Sequence, residues 1–126
     1  MDINILIVDD KKSYVQSLKE LLQGPHIGID IAITYNDAIG LLETHNYDIL
    51  ISDIGLTGAS GKEGLDILKY VKRHKPHIKV ILMTGQIDPD IRHLAYHLGV
   101  DLYWQKPVSP ELLKKIVQNG VTDWRQ

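Results

Sequence analysis

The chain has 126 residues, 24% of them charged and 44% hydrophobic, and a net charge of −2 with histidine neutral. That is the size and balance of one globular domain, and without a basic excess or a polybasic run it predicts neither a direct nucleic-acid ligand nor a membrane-surface partner. There is no cysteine, so disulfides and thiolate metal sites are excluded, and the first apolar run is too short for a signal peptide or a membrane span; the expectation is a single cytoplasmic domain over residues 1–126 with no cleaved segment.

Strand and helix patterns alternate from end to end. Ile3 to Val8 reads as the first strand. Lys12 to Gln23 is helical, with Tyr14, Val15, Leu18, Leu21 and Leu22 on one side, and Gly24-Pro25 supplies a stop. Ile27, Ile29, Ile31 and Ile33 alternate with smaller or polar residues, the pattern of an edge strand. Asn36 is expected to cap a helix running to about His45, and Asp48 to Ser52 is the third strand. A loop rich in glycine and small polar residues runs from Gly55 to Glu63, followed by a helix to His74 with Leu65, Leu68 and Val71 inward. Ile78 to Met83 is the fourth strand. Asp88-Pro89 is a cap followed by a proline at the first helical position, opening a helix to Leu98 that Gly99 ends. Asp101 to Gln105 is the fifth strand, and Ser109-Pro110 opens a last helix to about Asn119, with Gly120 as its stop.

Five strands alternating with five helices predict an α/β fold: a doubly wound, flavodoxin-like parallel sheet of order 2-1-3-4-5 with helices on both faces. Parallel strands present their C-terminal ends on one edge, where ligands bind in open α/β sheets. The residues met there are Asp9-Asp10, Asp53, Thr84 and Lys106-Pro107. Three carboxylates close together raise one another's pKa unless something neutralises them. A hard divalent cation with oxygen ligands, Mg²⁺, is the simplest neutraliser.

This ordered set resembles the receiver domain of two-component response regulators, and the resemblance covers essentially the whole chain. It implies a phosphorylation-dependent switch that takes a phosphoryl group from a sensor histidine kinase or a histidine phosphotransfer protein. Asp53 matches the phosphoacceptor, and Asp9, Asp10, Asp53 and the backbone carbonyl of Gly55 match the Mg²⁺ ligands. Lys106 matches the cation that pairs with a phosphoryl oxygen. Thr84 matches the hydroxyl donor, and Tyr103 the aromatic that turns inward with it. Lys106-Pro107 matches a peptide bond usually cis in the family. The implied partner or dimer face is the helix from Asp88 to Leu98, the fifth strand and the last helix, including His93, His97, Trp104 and Lys114. Such a chain hydrolyses its own acyl phosphate slowly and is not a turnover enzyme on an external substrate.

The chain departs from the family pattern at Thr57, where proline is usual, in a longer loop from Gly55 to Gly64, and at Gly85, which leaves open space beside the site. Gly55 and Gln86 occupy positions whose side chains tend to tune acyl-phosphate lifetime in the family, and Gly55 offers none. Taken alone, Asp9-Asp10 reads as a helix-capping pair, Thr84 as a turn residue, and Tyr103 and Trp104 as packing aromatics; His93 and His97 have the spacing for zinc but no third ligand, and read as a solvated helix face. Gly58 to Gly61 lacks the Gly-Lys-Ser/Thr of a P-loop. Two rival functions are a receiver fold that docks a partner without phosphorylation, and an aspartyl-phosphate hydrolase. The hydrolase needs a second acid shortly after its nucleophile on the first strand, where this chain has Lys11 and Lys12.

Overall fold

The computed structural model describes residues 2–55, 62–86 and 88–118. Its elements are β1 (Ile3–Val8), α1 (Lys12–Leu22), β2 (Ile27–Ala32), α2 (Tyr35–Thr44), β3 (Ile49–Asp53), α3 (Glu63–His74), β4 (Lys79–Thr84), α4 (Pro89–His97), β5 (Leu102–Gln105) and α5 (Pro110–Gln118). All neighbouring strands are parallel, in the order β2-β1-β3-β4-β5. The flavodoxin-like expectation holds, and β2 is an edge strand as its alternating pattern implied.

The continuous apolar runs follow from burial on both faces. Leu6, Val8, Leu50, Val80 and Leu82 join one core with Leu42 of α2, Leu68 and Val71 of α3 and Ala95 of α4. Ile5, Ile7, Ile49, Ile51, Ile81 and Met83 join a second core with Val15 and Leu18 of α1 and Leu113 and Val117 of α5. Successive strand residues point to opposite faces, so each strand feeds both cores. Each fully buried aliphatic side chain contributes about 1.5–3 kcal/mol against its exposed state.

The caps are local and mostly as expected. Asp88 Oδ1 accepts from the backbone N–H of Asp90 at 2.9 Å and of Ile91 at 3.4 Å, with Pro89 in the first turn. Ser109 Oγ accepts from Leu112 N–H at 3.3 Å. Gly99 ends α4 in the left-handed region, φ 98°. The cap of α2 differs from the expectation. It is Thr34, whose hydroxyl accepts from Asp37 N–H at 3.1 Å, and Asn36 lies inside the first turn. Thr34 is the extended residue between strand and helix, φ −133° and ψ 161°, and only such a residue can turn its side chain onto the free N–H groups. β3 and β4 each run one residue later than read from the sequence, to Asp53 and Thr84. The expected end of the last helix at Asn119-Gly120, Thr57 and most of the Gly55–Gly64 loop lie outside the described residues. Among the described residues no helix is long and apolar enough to cross a membrane.

Candidate functional site

The register of the sheet assembles the site. Val8 pairs with Ser52, Asp53 with Met83 and Thr84 with Gln105, so β1, β3, β4 and β5 end almost level. The residues just beyond them therefore share one edge. Carboxylate oxygens of Asp9, Asp10 and Asp53 all lie within 4.8 Å of one another. Asp9 is fully buried, Asp53 nearly so, and Asp10 is partly exposed. Asp9 Oδ1 also accepts from Lys11 N–H at 3.0 Å, a turn just before α1; no side chain caps that helix, so the capping reading of the pair does not hold.

Lys106 reaches this cluster from the end of β5. Its backbone N–H donates to the Thr84 carbonyl at 2.7 Å, and the Lys106-Pro107 peptide bond is cis. Its ammonium donates to Asp9 Oδ2 at 2.6 Å and lies 3.3 Å from Asp53 Oδ1. Burial raises the Asp53 carboxyl above its usual range, Lys106 pulls it back, and the charges of Asp9 and Asp10 push it up further. Burial alone would lower the Lys106 ammonium, but the hydrogen bond to Asp9 and the charges of Asp53 and Asp9 hold it above its ordinary value.

The donor set fits a hard divalent cation. Three carboxylates and one ammonium leave two negative charges uncompensated, and every free donor is an oxygen. Among the described residues this is the one group of three or more such ligands, and His93 and His97 remain an exposed pair on α4.

Thr84 and Tyr103 sit on the other side of the strand ends. The Thr84 hydroxyl donates to the Gln86 carbonyl at 2.8 Å, within its own turn. Tyr103 is 6% exposed, its ring already packed inward 6.5 Å from that of Tyr96. Its hydroxyl stands near that of Thr84 without the geometry of a hydrogen bond. A cavity of about 160 Å³ separates these groups from α4, lined by Ile54, Lys62, Thr84, Gln86, Asp88, Ile91 and Tyr103. Gly85 borders open space, as its missing side chain implied.

Two residues of the site were not singled out from the sequence. Gly64, in the first turn of α3, rests directly on the exit of β3: a Cβ there would stand 2.5 Å from the Asp53 carbonyl oxygen and 2.6 Å from Ile54 Cα. A lone glycine inside a helical pattern was the available signal. Helical periodicity puts Tyr14 on the inward side of α1, where it packs against the core, and its ring centroid also lies 4.6 Å from the Lys106 ammonium.

A flavodoxin-like sheet ending in an acid cluster bridged by a lysine defines a receiver-type signalling domain. The chain belongs to the response regulator receiver domain family, whose model matches residues 5–118. It is 30% identical over 120 residues to the DNA-binding transcriptional regulator NtrC of Klebsiella pneumoniae, covering 95% of this chain and 25% of that protein. It is 30% identical over 115 residues to the transcriptional regulatory protein DltR of Streptococcus agalactiae, covering 90% of this chain and 50% of that one. The chain thus spans between a quarter and a half of these relatives. Among solved structures, a CheY-like receiver domain protein of Methanospirillum hungatei superposes with a TM-score of 0.84 at 29% identity, covering 94% of each chain. The BeF3-activated DrrB receiver domain superposes at 0.80 with 28% identity, covering 94% of this chain and 97% of that one.

Proposed function

We propose that the chain is a phosphorylation-dependent switch in which Asp53 accepts a phosphoryl group from a histidine kinase or a histidine phosphotransfer protein. The observation that carries this reading is the Lys106 ammonium set between Asp9 and Asp53, with Asp10 completing an all-oxygen cluster. Asp9, Asp10, Asp53 and the Gly55 carbonyl are the residues that would hold Mg²⁺. When bound, the cation offsets the charge that builds up on the transferring phosphoryl group.

The chain's own residues supply the rest. A carboxylate oxygen of Asp53 attacks phosphorus as the P–N bond of the donor phosphohistidine breaks, and the leaving imidazole takes up a proton. Phosphoryl transfer has a loose transition state, so position and charge matter more than basicity, which suits a carboxylate nucleophile. Lys106 follows the new negative charge from Asp9 to a phosphoryl oxygen. Thr84 exchanges the Gln86 carbonyl for another phosphoryl oxygen. The signal leaves through α4, β5 and α5, where Leu94 and Tyr96 are exposed and Pro89, Arg92, His93 and Tyr96 line a cavity of about 280 Å³. This reading makes residues 1–126 one cytoplasmic receiver domain, and not a turnover enzyme.

One observation keeps the rival docking module in view: the loop from Gly55 to Gly64 is longer than usual and carries Thr57 where the family usually has proline. Incubation with phosphoramidate or acetyl phosphate plus Mg²⁺ separates the two. The switch gains one hydroxylamine-labile phosphoryl group, absent in Asp53→Ala. A protein that labels neither with these donors nor with its cognate kinase is a docking module.

A further inference from the structure

We propose that Tyr14 is a positioning residue for Lys106: the face of its ring holds the ammonium beside Asp53 and thereby sets how fast the site takes up a phosphoryl group. The inference rests on the phosphoacceptor reading of the same site.

Lysine is a flexible stem with a compact charge, so its position is set by what it touches. The structure shows three such contacts for the Lys106 ammonium: Asp9 at 2.6 Å, Asp53 at 3.3 Å and the Tyr14 ring centroid at 4.6 Å. The first two are carboxylates of the candidate metal cluster. A divalent cation draws on the same oxygens, and a phosphoryl group changes the identity of Asp53 itself. The ring face is the contact for which neither competes. At this distance its negative quadrupole attracts an ammonium.

The ring is itself held. Tyr14 stands in the first turn of α1, packed against the core formed by α1, α5 and the sheet. Its hydroxyl donates to Met83 Sδ at 3.6 Å. Met83 is the register partner of Asp53 on the neighbouring strand. Tyr14 therefore spans from α1 to the strand beside the proposed nucleophile, and its ring faces Lys106 on the way. A leucine would fill the same apolar position but has no face to offer a cation.

The test uses the full chain and two readouts. In the unphosphorylated protein the ring current should shift the ε-methylene protons of Lys106 upfield. Tyr14→Leu should abolish that shift and Tyr14→Phe should keep it. With phosphoramidate and Mg²⁺, Tyr14→Leu should label roughly three- to tenfold more slowly than wild type, the range a partly desolvated cation–π contact supports. Tyr14→Phe should recover most of the rate. In a Lys106→Ala background, Tyr14→Leu should cause no further slowing, because its route of action is gone. Equal slowing in both backgrounds, or Lys106 protons that do not move in Tyr14→Leu, overturns the proposal. A wild-type protein that never labels instead sinks the phosphoacceptor reading and the kinetic half of this one, and the Lys106 shifts then decide the contact alone.

Discussion

Lys106 stands closer to Asp9 than to Asp53, 2.6 Å against 3.3 Å, so the ammonium leans toward the acid that is not the proposed nucleophile. Asp9 is fully buried, and a buried carboxylate left without a counter-charge is costly. Lys106→Met should therefore destabilise the metal-free domain by about 3 kcal/mol. Part of that loss should return on adding Mg²⁺. Urea denaturation in EDTA and in Mg²⁺ measures both. An unchanged midpoint in EDTA would mean the pair does not hold the apo site together.

Metal binding should appear as stability. Only the folded chain gathers the three acids, so the midpoint of unfolding should rise with Mg²⁺ concentration. Asp10→Asn or Asp53→Asn should lose most of this dependence. Each should also be no less stable than wild type without metal, because one member of a like-charged cluster has been neutralised. A wild-type melting temperature indifferent to Mg²⁺ counts against the site.

The pH dependence has a definite sign. Asp53 has a native pKa above the ordinary carboxylate range, mainly because it is buried. The folded state thus binds this proton more tightly than the unfolded one. In metal-free protein the protonated group favours folding at low pH, and that contribution is lost as pH rises through the native pKa. Mg²⁺ requires the ionised carboxylate, so its stabilising effect should run the opposite way and fade as pH falls toward that value. Thermal melts across this window, with and without Mg²⁺, test the crossing. A Mg²⁺ effect that grows on acidification would contradict it.

Gly64→Ala should be disruptive although alanine is the better helix former. The added methyl would meet backbone at 2.5 and 2.6 Å, and backbone cannot move aside as a side-chain tip can. A loss of about 1–3 kcal/mol is expected, with slower labelling of Asp53, since the displaced atoms belong to its own strand exit. An alanine variant as stable and as fast as wild type would show that α3 is not seated there.

Relay should begin at Thr84 rather than at Tyr103, whose ring is already inside. Beryllofluoride with Mg²⁺ should draw the Thr84 hydroxyl from the Gln86 carbonyl and perturb the amide shifts of the 84–106 segment. Trp104, the register partner of Met83, reports the same event by fluorescence. Thr84→Ala should blunt both signals. Shifts confined to the acid cluster in wild type would describe a site that binds phosphate without relaying it.

Much of this was legible in the chain, for reasons that differ by residue. The strand runs stood out because a parallel sheet covered on both faces needs aliphatic residues at consecutive positions, as at Ile5 to Val8. Asp88 and Ser109 were legible as caps because capping is decided within a few residues. Thr34 was not, because its role depends on where β2 stops. Helical periodicity placed Tyr14 with Val15 and Leu18 but carries no information about Lys106, which arrives from the far end of the chain. Gly64 was hidden for the same reason: its neighbour is backbone of a different element. The convergence of Asp9, Asp10, Asp53 and Lys106 was legible because topology alone brings the strand ends together.

The seat of α3 also bears on how such a chain can diverge. Gly64 N–H donates to the Ile54 carbonyl at 3.0 Å, and Ile54 N–H donates to the Met83 carbonyl at 2.9 Å. Residues 54 and 64 are therefore held together at a single backbone junction. With these ends clasped there, the entropic cost of added residues grows only logarithmically, about 0.6 kcal/mol per doubling of length. Changes of length between residues 54 and 64 can therefore accumulate while the strand that ends in Asp53 stays in register.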